Sequence, residues 1–211
     1  MSSERGVTRT ESKHKAILDA ATVVFLKSGY LGANMDEIAV ISGVSKQTVY
    51  AHFGSKEVLF VEVVGSITDE ASNTVHRSAP ESDQYKNIAE FLLAYAVRQL
   101  TVVLTPRIMQ LRRLVIGEVG RFPELARVLY ERGPFRAMKA LAEVFERLSR
   151  DGLLRVADSM VAASNFNWLI MAEPLNRAML LGDEAIPNAD ELRRHAAEGV
   201  RIFLIAYGQD T

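Results

Sequence analysis

The residues whose types and spacing could do chemistry lie in residues 35–56, MDEIAVISGVSKQTVYAHFGSK. Lys46, Gln47, Thr48, Tyr50 and His52 set a cation, an amide, a hydroxyl, an amphipathic ring and an imidazole on one side of a short helix, away from Val49 and Phe53. That set suits nucleic acid. Glutamine can read a base edge, and threonine and tyrosine hydroxyls bond phosphate. Ser45 and Ser55 each precede a helix start, where free backbone N–H groups attract phosphate, and Lys56 adds a charge at the second. No chemistry of turnover accompanies this set. The sequence carries no nucleophile–base pair, paired carboxylate motif, glycine-rich phosphate loop or metal cluster, so no enzyme is expected and no cofactor is implied. Its four histidines, His14, His52, His76 and His195, never fall at ligand spacing, so no metal site is expected. His52 reads as a phosphate contact and the other three as solvated.

Helices must position those residues. Nearly every segment repeats its apolar residues at helical period and none alternates as a strand does. A first helix is predicted over 12–28, with Ile17, Ala20, Ala21 and Val24 on one face and Gly29 ending it. Asn34 reads as an N-cap, with Glu37 three residues on as in a capping box. A short helix runs to Ser42, Gly43 turns the chain, Ser45 caps the helix over 46–53, and Gly54 breaks it. Ser55 then caps a long helix carrying Val58, Leu59, Val63 and Ile67. Two short helices around such a turn are a helix-turn-helix, with Ile38, Ala39, Val49 and Phe53 inward and Val44 between them.

Later breakers are sparse. A turn is predicted at 80–83, an N-cap with proline at the first helical position at Thr105-Pro106, and helix starts at Phe122-Pro123 and Gly133-Pro134. Gly152 ends the helix containing Phe135, Met138, Leu141 and Phe145. Asp158 caps the next, inside which Pro174 predicts a kink. The last helix spans about 189–207. Nine or ten helices result, without the fixed repeat of a solenoid.

The 211 residues are 48 % hydrophobic and 24 % charged, which excludes collagen-like and low-complexity chains. Cysteine is absent, removing disulfides, thiolate zinc sites and a thiol nucleophile. The longest purely apolar run, 91–97, is too short for a bilayer, and no secretory signal is recognisable, so a cytoplasmic protein without a membrane partner is expected. The net charge of −1 hides a mild asymmetry: residues 1–56 hold seven Lys and Arg against five acids. Only a local patch can therefore meet a polyanion.

Ala16-Ile17-Leu18-Asp19-Ala20-Ala21, Phe25, Gly29-Tyr30 and MDEIAVISGVSKQTVYAHFGSKEVLF closely resemble the DNA-binding domain of TetR-family transcriptional regulators, over residues 12–65. Gly117-Glu118, Arg121-Phe122-Pro123-Glu124-Leu125-Ala126 and Tyr130-Glu131 resemble, more loosely, the C-terminal domain of one large subgroup. The resemblance implies a homodimeric repressor whose last two helices form the dimer interface and whose second domain holds a small effector. It puts Ser45, Lys46, Gln47, Thr48, Tyr50, His52 and Lys56 at DNA-contact positions and Val44, Val49 and Phe53 in the core. Three departures stand out. Gln47 replaces a small residue, Ala51 a larger one, and Ala33-Asn34 the usual Thr-Ser, so Asn34 can cap but one phosphate-binding hydroxyl is missing.

The expected fold is all-α: a three-helix N-terminal helix-turn-helix domain and a C-terminal helical domain for ligand binding and dimerisation. Residues 1–11 form a flexible arm, 12–56 the DNA-binding domain with its motif at 34–53, and 57–211 the effector and dimer domain. The expected partners are double-stranded operator DNA, a mostly apolar small effector and a second copy of the chain. For the dimer face Leu169, Ile170, Leu175, Leu192, Val200 and Phe203 are candidates. For the pocket wall Tyr95, Met109, Phe135, Asn165 and Trp168 are candidates, although core packing competes there. Several features stay open. The basic residues Arg5, Arg9, Lys13 and Lys15 fit a minor-groove arm or a solubilising tail. Tyr50 fits DNA contact, packing, or both. Seven arginines at 107, 112, 113, 121, 127, 132 and 136 fit a solvated band or an anionic effector. The rival function is a helical interaction protein acting through its C-terminal bundle without reading an operator.

Overall fold

The computed structural model describes residues 9–77 and 87–209. The turn expected at 80–83, Arg5 and the rest of residues 1–8, and the side chain of His76 lie outside the described residues. Among them the chain forms ten α-helices and no strand, only an isolated bridge between Leu154 and Gly208. It divides into two compact units, Met1–Ile67 with Leu114–Val128, and Thr68–Arg113 with Leu129–Thr211. These units cut the chain differently from a single boundary at residue 56.

In the first unit α1 spans Arg9–Gly32, beginning three residues before its expected start. Gly29 interrupts it at φ 69°, ψ 177°, which separates residues up to Ser28 from a last turn containing Tyr30. Positive φ costs a side-chain-bearing residue, so glycine suits the break. Then come α2 (Met35–Ser42), α3 (Lys46–Phe53) and the start of α4 (Lys56–Arg77). Ile17, Ala21, Val24, Phe25, Ile38, Val49 and Leu59 are fully buried, so α1, α2, α3 and the start of α4 each contribute to the core of this unit. On α4 Val58 is 52 % exposed, while Leu59, Val63 and Ile67 are buried. Phe25 lies 4.7 Å from Phe60, and Tyr30 lies between Phe60 at 5.2 Å and Phe122 at 4.6 Å. The Tyr30 hydroxyl donates to Glu57 at 2.7 Å. Burial and that bond push the phenol well above its usual range and hold the Glu57 carboxyl below its own.

In the second unit α5 (Ile88–Val103) packs against α10 (Ala189–Tyr207), and α8 (Arg136–Arg150) and α10 pack against α9 (Ser159–Leu181). The helices α6 (Pro106–Glu118) and α7 (Pro123–Tyr130) lie between α5 and α8 in sequence. Phe145, Phe166 and Phe203, all fully buried, meet with ring centroids 5.0–5.9 Å apart. Edge-to-face and offset pairs of this kind add to the area each ring buries. Gly133-Pro134 is not a clean helix start. It lies in a five-residue π-type turn, Glu131–Phe135, with Gly133 at φ −97°, ψ −106°, through which α7 passes directly into α8. Phe135 therefore belongs to that turn, not to the helix of Met138 and Phe145.

Two sequence expectations for the last helices change. Ile170, Leu192, Val200 and Phe203 are buried within this chain and cannot form an outer face, while Leu169 and Leu175 are half-buried. The exposed apolar residues are instead Val161, Trp168, Leu180 and Leu181 on α9 and Ile202 and Ile205 on α10. Nor are His14 and His195 freely solvated. The His14 ring stacks on Phe53 at 4.7 Å and its Nε2 lies 2.9 Å from Glu62, and His195 is hydrogen-bonded to the backbone of α9.

Candidate nucleic-acid interface and ligand cavity

The turn between α2 and α3 is made by local chemistry. Asn34 caps α2 by accepting the Asp36 N–H at 2.8 Å, so the cap forms through the second helical residue and not through the Glu37 box. Gly43, at φ 68°, ψ 26°, takes the left-handed conformation that ends α2, and its N–H reaches the Val40 carbonyl at 3.2 Å. The Val44 N–H reaches Ala39 at 3.1 Å. Ser45 then caps α3, accepting the Thr48 N–H at 3.1 Å, and its hydroxyl also meets Thr48 Oγ1 at 2.8 Å.

From that cap the helix turns Val49 and Phe53 into the core, as the spacing of four predicts. Lys46, Gln47 and Tyr50 are exposed, and Thr48 and His52 half-buried. Lys46 is held by Asp36 at 2.9 Å, and that bond raises its already high pKa. Exposed pairs of this kind are worth little and exchange readily for another anion. The His52 ring lies edge-on to His14 of α1 at 6.0 Å. Lys56 lies over the Tyr30 ring at 4.8 Å and donates to the Leu31 carbonyl at 3.4 Å. The structure thus brings Asn34, Ser45, Lys46, Gln47, Thr48, Tyr50, His52 and Lys56 onto two consecutive short helices and the start of the third.

The second unit contains a cavity of about 70 Å³. Of the five residues expected in a pocket wall, only Trp168 lines it. Met109 is fully buried in the core. Tyr95 is also core, where burial pushes its hydroxyl up to about 12. Phe135 is exposed and stacks on Tyr130 at 5.9 Å. Asn165 faces outward and donates to the Tyr207 hydroxyl at 2.7 Å. The lining is instead drawn from α4, α5, α6, α9 and the π-type turn, with one residue each from α7 and α8.

Its polar residues include Ser72, Gln99, Arg112 and Asn167. Ser72, Gln99 and Asn167 are 7 %, 4 % and 3 % exposed. Gln99 donates to Asn167 at 2.8 Å, which leaves Gln99 Oε1, Ser72 Oγ and Arg112 Nε sealed from solvent without a partner among the described residues. The sequence signals were present: a glutamine in the apolar helix α5, a second amide two residues beyond Asn165, and the arginine band. Most of that band is paired, Arg107 with Glu70 at 3.0 Å, Arg113 with Asp183, and Arg132 with Asp69 at 3.0 Å. Arg132 and Arg136 both bind Asp69 and so tie the π-type turn to α4.

A helix-turn-helix whose second helix is polar and exposed, followed in sequence by an all-α unit containing a cavity, points to a DNA-binding regulator. The family model described as bacterial regulatory proteins, tetR family, matches residues 17–63, and that of the AefR-like transcriptional repressor C-terminal domain matches residues 90–209. A TetR-family transcriptional regulator from Mesorhizobium loti MAFF303099 superposes with a TM-score of 0.90 at 36 % identity, over 96 % of this chain and 100 % of that one. The flavonoid-responsive regulator FrrA superposes at 0.79 with 30 % identity, over 94 % and 98 %. The HTH-type transcriptional regulator YhgD of Bacillus subtilis strain 168 is 32 % identical over 99 residues, 46 % of this chain and 52 % of that relative. That alignment spans about half the length of this curated relative. The chain belongs to the TetR family of transcriptional regulators, which are DNA-binding proteins and not enzymes. Among the described residues no single helix is long and apolar enough to cross a membrane.

Proposed function

We propose that this chain is a homodimeric repressor released from its operator by a small, mostly apolar effector. The observation that carries the ligand response is the cavity: an apolar chamber with Ser72, Gln99, Arg112 and Asn167 among its few polar groups, the mixture that small-molecule sites use. Residues 12–56 read the operator, through Asn34, Ser45, Lys46, Gln47, Thr48, Tyr50, His52 and Lys56. Residues 57–211 bind effector and dimerise.

The dimer face is α9 and α10. Val161, Trp168, Leu180, Leu181, Ile202 and Ile205 are 41–73 % exposed there, and an isologous four-helix interface would cover them. Effector binding shifts populations through α4. Ser72 and Val75 of that helix line the cavity, and its first turn follows Ser55 directly after the recognition helix. The match to AefR-like repressors supports repression, and the flavonoid response of FrrA supports ligand control.

The test selects bound sequences from random DNA with the full chain, then screens small molecules for release of the winning sequence. A selected palindrome with half-sites about one helical turn apart, released by a compound that alters Trp168 emission, is the expected result. No enriched sequence, with the C-terminal bundle still binding a protein partner, would replace this reading with the interaction-protein one.

A further inference from the structure

Arg112 differs from its neighbours on α6. Arg107 and Arg113 point to carboxylates, Glu70 and Asp183. Arg112 lines the cavity, its Nε sealed and unpartnered, and no carboxylate pairs with it among the described residues. Burial holds its pKa below the ordinary arginine value. A guanidinium so placed stays charged, because its ordinary pKa lies above 12. Arg112 is half-buried with its Nε held out of solvent, and a guanidinium partly withdrawn from water gains by pairing, so the cavity favours an anion.

The rest of the chamber sets the size and shape of that anion. Ser72 Oγ is a second unpartnered group, able to donate, and Gln99 Oε1 is an unpartnered acceptor. Val75, Val103, Leu111, Met171 and Leu175 supply apolar wall, with Trp168 as the aromatic surface. A water needs roughly 10–15 Å³ of such space, so the cavity has room for about five, the volume of one small ring.

We infer that the cavity takes a one-ring organic carboxylate, its carboxylate on Arg112 and Ser72 and its ring against Trp168 and the apolar wall. A hydroxyl on the ring would satisfy Gln99 Oε1. The fork of donors on arginine matches a carboxylate, and charge-assisted bonds of this kind are stronger than neutral ones. This deepens the effector reading above and rests on the cavity being the effector site.

The test titrates the full-length chain with benzoate and salicylate and with the uncharged benzamide and toluene, read by calorimetry and Trp168 fluorescence. The carboxylates should bind about tenfold or more tighter than benzamide. Arg112→Gln should bring that ratio near one while leaving toluene binding unchanged, and Arg112→Lys should keep part of the preference. Circular dichroism melts verify that each variant folds, and if Arg112→Gln does not fold, Arg112→Lys and Ser72→Ala carry the comparison. Equal binding of benzoate and benzamide, an unchanged ratio in the variants, or no binding of either carboxylate at millimolar concentration overturns the inference. Arg112-dependent carboxylate binding that fails to release DNA would overturn the effector reading and leave the carboxylate site standing. Release of DNA by uncharged compounds independently of Arg112 would do the opposite.

Discussion

His195 Nε2 lies 2.8 Å from the carbonyl oxygen of Ile170, joining α10 to α9 at the one carbonyl that Pro174 deprives of its helical partner. Proline has no N–H, so the residue four positions earlier keeps an orphan acceptor inside the helix. Ile170 is fully buried, and leaving its carbonyl unmet would cost free energy. A carbonyl only accepts, so the imidazole must carry its proton on Nε2. α9 continues through the buried Pro174 from Ser159 to Leu181, and the histidine supplies the missing donor.

His195→Ala should therefore lower stability by about 1–3 kcal/mol. In a Pro174→Ala background the backbone N–H regained at that position restores the helical bond, and the same substitution should cost distinctly less. Chemical denaturation of the four proteins measures the coupling, and equal costs in both backgrounds would remove His195 from this role.

The recognition helix should separate two kinds of failure. Phe53→Ala, at a buried site, should cost about 3–5 kcal/mol and lose DNA binding as a consequence. Lys46→Ala should leave the melt unchanged and lower the log–log salt slope by about one per contact, doubled in a dimer. Asp36→Asn releases Lys46 from its 2.9 Å pair and should tighten binding to all sequences. Unaltered DNA affinity and salt slope in both variants would take Lys46 out of the interface.

Gln47 is exposed on the same helix. Gln47→Ala should relax sequence preference at one position of each half-site, costing about 1–3 kcal/mol against the best operator. A selection experiment that returns the wild-type motif from the variant would assign base reading elsewhere.

Acid should weaken the fold through two carboxylates. Arg113 and then Gln110 hold Asp183 below the usual range, and the Tyr30 hydroxyl does the same to Glu57. Each binds its proton more weakly in the folded state. Their stabilisation is complete above the unfolded values near pH 4 and is lost as pH falls through the depressed folded ones. Asp183→Asn and Tyr30→Phe should each flatten the fall of Tm as pH drops below about 4. Wild-type slopes in both variants would show that these pairs do not survive in solution.

Dimerisation is measured directly. Light scattering should give about twice the 23.4 kDa of the chain, and Ile205→Glu, at a 68 % exposed apolar position, should return it toward one. A single-chain mass for the wild type at micromolar concentration would leave those apolar residues of α9 and α10 unexplained by self-association.

The sequence by itself determined the helices and the helix-turn-helix, because their signals are local. Gly43 and Ser45 act on their own backbone within a few residues, and Val49 and Phe53 share a face by period alone. Local rules failed at Gly133-Pro134, where the chain makes a wide turn in place of a break, with Arg132 and Arg136 beside it paired to Asp69. The cavity was beyond reach for the same reason. Ser72, Gln99, Arg112 and Asn167 come from four helices, and nothing in any one helix marks which face its neighbours will cover. Asn165 and Asn167 are two residues apart and so roughly 200° apart around α9. Only the positions of α5 and α10 send one inward to Gln99 and the other outward to Tyr207. The same holds for Pro174: its sequence announces a lost hydrogen bond, and only the packing of α10 brings His195 to replace it.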